Sequence, residues 1–239
     1  MVERKLALAT AGVEHNRGSN VLLLNRVIRV RGDQRKHHRR LEREVRAGAA
    51  GTCFCYTPGM EVLGKEFFER SVLEVAPELL GKYLVRESKN GAAGIAHMIT
   101  EVEAYDGQAD LACHASRGRT KRTEVMFGPA GHWYVYLIYG IYDMLNIVTG
   151  PEDHAAAVLI RGVVAYDGPG KLTRDLGITR EHNAALALPK KEGGSGLWIE
   201  DRGYTVDAAS IEATPRIGVD YAGPEWSQKP WRFVLKDSK

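Results

Sequence analysis

Two carboxylates, an imidazole and several phenols lie close together in the middle of this chain. Glu101, Glu103 and Tyr105 alternate along Met98–Asp106, His114 follows within Ala112–Ser116, and Tyr134, Tyr136 and Tyr139 stand in Tyr134–Gly140. A carboxylate held beside apolar groups can take a proton from water and so prepare it for attack on an electrophilic carbon. Aromatic faces next to such a group suit a planar ligand. Strand alternation puts Glu101, Glu103 and Tyr105 on one face, with Ile95 and Ile99 sharing that face further back. On their own, two acids on a strand also fit a plain solvent-facing edge, and a lone His is more often a surface or core residue than a ligand. Cys113-His114 has no partner at metal-ligand spacing, so no metal is expected, and no cofactor motif is present.

The elements that must carry these groups are set by periodicity. Phe67, Phe68, Val72, Leu73, Val75, Ala76, Leu79 and Leu80 recur at helical spacing, with Pro77 marking a break or kink and Gly81 a stop. Tyr83–Arg86 and Ile95–Tyr105 flank the turn-rich Lys89-Asn90-Gly91 and predict a hairpin. Residues 106–131 form a long polar loop, of the kind that is functional in a compact domain, with short helical turns expected at Ala109–Cys113 and Lys121–Met126. Strands are predicted at His132–Tyr139, Tyr142–Val148 and Ala156–Val164, and a short helix opens at Gly168-Pro169-Gly170-Lys171-Leu172. Further strands are predicted at Leu197–Glu200, Pro215–Val219 and Trp231–Leu235. With no repeat and no long helix, the class is α+β: one compact domain with a curved, mostly antiparallel, open-barrel-like sheet and short surrounding helices.

Charge divides the 239 residues unevenly. The net charge is +3, yet residues 1–59 hold twelve Lys and Arg against five Asp and Glu, which leaves 21 against 25 for residues 60–239. The basic run from Arg26 to Arg46 reads as a disordered leader or as an electrostatic arm for nucleic acid. A third reading starts translation at Met60, because ordered patterning begins just after it. The domain proper is then 60–239. Three cysteines, Cys53, Cys55 and Cys113, form neither a disulfide framework nor a zinc spacing. No signal-peptide pattern and no membrane-length apolar run is present, so a cytoplasmic protein is expected.

A large aromatic at a hairpin tip has little to pack against, and Tyr139 beside Gly140 could act as a wedge between bases. From about Leu63 to Leu235 the chain resembles the alkyladenine (3-methyladenine) DNA glycosylases, the monofunctional base-excision enzymes with many bacterial members. The resemblance rests on Leu79-Leu80-Gly81-Lys82, Glu101-Val102-Glu103-Ala104-Tyr105, His114, Met126-Phe127-Gly128, Tyr134–Gly140, Asn146 and Leu159-Ile160-Arg161. It continues through Gly168-Pro169-Gly170-Lys171-Leu172, Arg216-Ile217-Gly218-Val219 and Lys229-Pro230-Trp231-Arg232-Phe233. It implies that Glu103 activates water for attack on the sugar C1′ of a flipped nucleotide, with Arg161 holding that water and the nearby phosphate. Tyr105, His114 and Tyr136 would sandwich the base, Asn146 would reject the exocyclic amine of normal guanine, and Tyr139 would fill the gap in the duplex. Alkylated or deaminated purines in double-stranded DNA are the implied substrates, and a nucleoid-associated monomer is the implied state. No lysine stands near Glu103–Tyr105 to form a Schiff base, so water is the expected nucleophile.

Register gives a further expectation. A two-residue loop Gly140-Ile141 would pair Tyr136 with Leu145 and turn Asn146 away. A three-residue connection, Gly140-Ile141-Tyr142, or a bulge would bring Asn146 beside Tyr136. Because the domain is net acidic, Arg117, Arg119, Lys121, Arg122, Lys171 and Arg174 are expected to gather on a DNA face. His132, Trp133, Ile141 and Asp143 depart from the family pattern and bear on lesion preference and DNA grip. A non-catalytic nucleic-acid-binding module and a small-molecule hydrolase using Glu101 and Glu103 are the alternative readings.

Overall fold

Among the described residues, ten strands, all paired antiparallel, gather around the longest of them. The computed structural model describes residues 60–88 and 94–236; the leader and the Lys89-Asn90-Gly91 turn lie outside the described residues. In chain order the elements are β1 (Glu61–Val62), α1 (Lys65–Phe68), α2 (Val72–Leu79), β2 (Tyr83–Arg86) and β3 (Ile95–Tyr105). After a long loop come β4 (Trp133–Ile138), β5 (Tyr142–Thr149), β6 (Ala156–Val163), β7 (Tyr166–Asp167) and α3 (Pro169–Asp175). The chain closes with β8 (Leu197–Asp201), β9 (Ile211–Thr214), α4 (Gly223–Ser227) and β10 (Arg232–Leu235).

The main path through the curled sheet is β1-β8-β2-β3-β6-β5-β4. β3 is long enough for two neighbours to share one of its edges: β2 takes Ile95–Met98 and β10 takes Glu101–Glu103, while β6 runs along the other edge. Alternation then sorts the side chains. Trp133, Val135, Leu145, Ile147, Val158 and Ile160 enter the main core with Val72, Val75, Ala76 and Leu79 of α2. Trp133 is fully buried, and its indole N–H donates to Leu197 O at 2.9 Å, so the polar end of the ring is satisfied. The opposite face of the same strands carries Tyr134, Tyr136, Val148 and Ala157, covered by Cys113, Ala115, Met126 and Phe127 from the long loop.

The largest departures from the expected elements are three. α2 continues through Pro77 instead of breaking there, but ends two residues later at Leu79, which is fully buried. Gly81, at φ +84, does stop it. The loop helices are single 3₁₀ turns at His114–Arg117 and Glu124–Phe127, later than predicted. Asp110 explains the first shift: its carboxylate accepts the N–H groups of Asp106 and Ala112 and folds that stretch into a turn instead of a helix. Pro215–Val219 is not a strand; the strand lies at Ile211–Thr214, because the Arg216 side chain turns inward. Among the described residues, no helix is long and apolar enough to cross a membrane.

Candidate active site

Two breaks in register aim the charged groups. Ile99 pairs with Val163, Glu101 with Gly162 and Val102 with Ile160, so Thr100 is an extra residue on β3 and Arg161 an extra residue on β6. Such bulges re-aim side chains. Ile99 therefore lies in the core with Val102 and Ala104, and does not share the face of Glu101, Glu103 and Tyr105 as strict alternation predicts. Arg161, swung out by its bulge, reaches both acids: Nε donates to Glu101 Oε1 at 2.8 Å, and one terminal nitrogen lies 3.4 Å from Glu103 Oε1. Gly162 sits opposite, where a Cβ would lie 3.3 Å from the Glu101 Cβ, so Glu101 packs against bare backbone.

The two carboxyls have opposite tendencies. Burial raises the Glu101 carboxyl, but hydrogen bonds from Arg232 and Arg161 outweigh it and hold the group below the usual carboxylate range. Both arginines donate to the same oxygen, Oε1, at 2.7 and 2.8 Å. Glu103 is 0% exposed, and burial lifts its carboxyl above the usual range against the opposing pull of Arg161, the Ile217 N–H and the Tyr105 hydroxyl. The amide donates to Oε1 at 2.8 Å and the hydroxyl to Oε2 at 2.9 Å. Neighbouring carboxylates with divergent proton affinity take different chemical parts. Glu101 is committed to its arginines, and Glu103 is the acid that takes up a proton more readily.

Arg161, Tyr105 and Ile217, which contact these acids, line a cleft of about 810 Å³ together with His114, Tyr136 and Asn146 among others. Tyr136 meets His114 edge-on at 4.6 Å between ring centroids and Tyr134 at 5.3 Å, making one aromatic wall. His114 is tied to that wall by an Nδ1 contact with the Tyr134 hydroxyl at 3.0 Å. Burial, then the charges of Arg122 and Arg117, push its imidazole down to about 4. It is therefore neutral at physiological pH. Because the folded protein favours the neutral ring, this histidine's contribution to stability is complete above its ordinary pKa of about 6.5 and is lost as pH falls toward 4. An NMR titration of the His114 ring is expected to give a midpoint near 4; a midpoint near 6.5 would contradict this burial.

The hairpin between β4 and β5 has the odd, three-residue connection that the pocket requires, but it is Tyr139-Gly140-Ile141, one residue earlier than predicted. Tyr134 faces Asn146 and Tyr136 faces Met144, so Asn146 stays on the tyrosine face, diagonal to Tyr136 instead of opposite it. Its amide donates to Tyr134 O and Met144 O, and it is only 3% exposed, so it is a fixed part of the cleft floor. Tyr139 and Gly140 have φ of 53° and 69° and close a turn in which Ile141 N–H donates to Ile138 O. Tyr139 is 83% exposed.

A family model described as methylpurine-DNA glycosylase matches residues 66–167 and 164–239. The chain belongs to that family. Relatives that carry the provisional name 3-methyladenine DNA glycosylase include one from Methanocella arvoryzae, 45% identical over 199 residues, covering 75% of this chain and 94% of the relative. Another from Myxococcus xanthus is 45% identical over 190 residues, covering 75% and 93%. A third, from Legionella pneumophila strain Corby, is 45% identical over 186 residues, covering 75% and 97%.

In this family member the basic residues differ in what engages them. Arg117 and Arg122 line the cleft, with the Arg122 guanidinium 4.9 Å from the Tyr136 ring centre. Arg119 is engaged by Glu124 and Asp153 and stacks on Phe127, while Arg174 pairs with its neighbour Asp175. Lys121 and Lys171 are exposed, Lys171 on α3, whose Pro169 reaches the cleft. Site residues that sequence patterning alone does not single out are Arg232, Asp110, Arg216 and the Ile217 amide. The landmark segments Arg216–Val219 and Lys229–Phe233 mark the places, but only the closure of β10 onto β3 shows what they touch.

Proposed function

We propose that this chain removes alkylated or deaminated purines from duplex DNA by hydrolysing the N-glycosidic bond and leaving an abasic site. The observation that carries the reading is the raised, buried Glu103 beside Arg161 at the edge of an aromatic cleft, in a member of the methylpurine-DNA glycosylase family. Ionised Glu103 takes a proton from water, the water oxygen attacks C1′, and the bonding electrons of the N-glycosidic bond leave with the purine. Arg161 steadies the attacking water and keeps Glu103 ionised despite burial. Tyr105 stacks on one face of the extruded base, with His114 and Tyr136 on the other. Cationic 3-methyladenine and 7-methylguanine gain cation–π attraction there, and hypoxanthine and ethenoadenine belong to the same range. Asn146, immobile on the floor, excludes the exocyclic amine of normal guanine. Arg117, Arg122 and exposed Lys121 and Lys171 contact the phosphates, and Arg119 joins them when DNA competes for its carboxylates. The protein works as a monomer without a cofactor.

No residue lining the cleft among those described is a lysine, which supports water as nucleophile and a monofunctional enzyme without strand-cleaving activity. The test is a panel of duplexes carrying 3-methyladenine, 7-methylguanine, hypoxanthine or ethenoadenine. Free base and intact abasic strands are expected, with no borohydride-trapped adduct. Absence of base release from all four would end the proposal, and a trapped adduct would end its monofunctional part.

The hairpin tip supports the duplex as substrate. A tyrosine in the left-handed region is strained by roughly 1–3 kcal/mol, and nothing in the protein is gained by exposing its ring. The ring instead fills the gap left by base extrusion. Tyr139→Gly is expected to leave the melting temperature unchanged or raised, because the turn relaxes. Base release from duplex falls at least about tenfold, and release from a single strand, where no stack must be held open, falls much less. Equal losses on both substrates would remove Tyr139 from this part.

A further inference from the structure

Arg216 and Asp110 form an ion pair whose side chains are both fully shielded from solvent, although each belongs to a loop. The guanidinium is a fork on three partners. Both terminal nitrogens donate to Asp110, one also to Ala104 O at 2.9 Å, and the other to Trp226 O at 3.3 Å. Its plane lies 4.8 Å from the Tyr105 ring centre and 5.0 Å from that of Trp231. Asp110 in turn accepts the N–H groups of Ala112 and Asp106 at 3.0 and 3.2 Å, so its oxygens organise the turn that leads into His114.

The two residues after Arg216 give the pair its meaning. Ile217 is half exposed and Gly218 turns away at φ +76, so neither packs the loop down. Yet the Ile217 amide is the group that donates to Glu103 Oε1 at 2.8 Å. Exposed loop amides open readily unless a neighbour is anchored, and the anchor next to this one is Arg216. A rigid bidentate fork fixes direction as well as distance, which a flexible ammonium does not.

We propose that the Arg216–Asp110 pair is a positioning clamp. Through Ile217 it holds the amide against Glu103, and through Asp110 it holds the segment that delivers His114. One buried contact thus couples the acid that activates water to the residue that stacks on the base. The proposal rests on Glu103 being the proton acceptor, and it assigns Arg216 no contact with DNA.

The test is the pH dependence of single-turnover base release by Arg216→Met, Arg216→Lys and Ile217→Pro, with thermal unfolding and DNA binding measured alongside. A hydrogen bond to a carboxylate corresponds to roughly one pKa unit. Arg216→Met and Ile217→Pro are therefore each expected to move the acid limb up by about that much, so that release relative to wild type is about tenfold lower on the acid side than on the alkaline plateau. Arg216→Lys keeps the charge opposite Asp110 and gives an intermediate shift. A folded Arg216→Met protein with an unmoved limb and a uniformly lower rate would reduce the pair to a core prop and overturn the proposal. Should Arg216→Met fail to fold, Arg216→Lys and Ile217→Pro decide, and an unmoved limb in both overturns it. Full activity in Glu103→Gln would instead remove the reading of Glu103 itself, a failure separate from this one.

Discussion

Glu103→Gln is expected to slow single-turnover base release from alkylated duplex by roughly 10²–10⁴-fold, the usual share of a well-placed general base. Affinity for the same duplex should stay within a few-fold of wild type. The substitution preserves shape, and the amide oxygen still accepts the Ile217 N–H that now reaches Oε1. The amide nitrogen can donate to the Tyr105 oxygen where the carboxylate now accepts. The capacity to receive a proton is what disappears. Because burial of the native carboxylate opposes its ionisation, the neutral amide removes a cost of folding, and the variant should melt no lower than wild type. Its base release should also lose the acid limb. That limb, in the wild type, lies above the ordinary glutamate range, since the ionised form is needed and burial raises the group. His114 cannot supply it, being neutral down to about 4. Undiminished release by Glu103→Gln would refute the mechanism.

Arg161→Met carries the second large effect, on activity and on stability together. The arginine is the nearest cation to Glu103, and it shares Glu101 with Arg232. Loss of one preorganised electrostatic partner lowers catalysis by about 10²–10³-fold. The stability change has a sign that pH reveals. Without Arg161, the Glu103 carboxyl rises still further in the folded protein, while the unfolded chain keeps its ordinary value. A raised acid is stabilising to the fold below the unfolded pKa, and that stability is lost as pH rises through the folded one. Destabilisation relative to wild type should therefore be small near the ordinary glutamate pKa of 4.5 and grow as pH rises above it, bounded by the roughly 3–5 kcal/mol that removing one partner of a buried pair can cost. Glu101, still bonded to Arg232, limits the damage. Thermal unfolding measured across that range checks it, and a pH-independent difference would show that Arg161 does not govern Glu103.

Much of this arrangement is legible from local pattern. β2 and β3 fall where alternation puts them, and β4 to β6 shift by a residue at most at each end. The face shared by Glu101, Glu103 and Tyr105 and the tyrosine pair in β4 also come from period-two reasoning. The two bulges do not, because an extra residue leaves no mark in composition. Ile99 moves to the core and Arg161 to the acids through a register change that only the pairing of β3 with β6 reveals. The stretch Pro215–Val219 looks extended in sequence, and its true task lies in a side chain and an amide directed at residues more than a hundred positions earlier. Contacts of that range depend on topology, for which local propensity carries no signal. The basic residues show the converse: Arg119 and Arg174 look like free charge in the sequence, yet Arg174 is held by adjacent Asp175, and Arg119 by Glu124 and the distant Asp153.

The way β10 closes on β3 sets when the acid pair gains its second arginine. Arg232 lies opposite Glu103 in the ladder and its side chain caps Glu101, and both belong to the last strand of the fold. A chain emerging from the ribosome has all its stacking aromatics well before this strand is released. It lacks until then the second of the two arginines that keep Glu101 ionised beside Glu103. Such long-range closure is slow relative to hairpin formation. A chain truncated ahead of Arg232 would thus carry a base-shaped groove in which Arg161 alone faces Glu101 and Glu103.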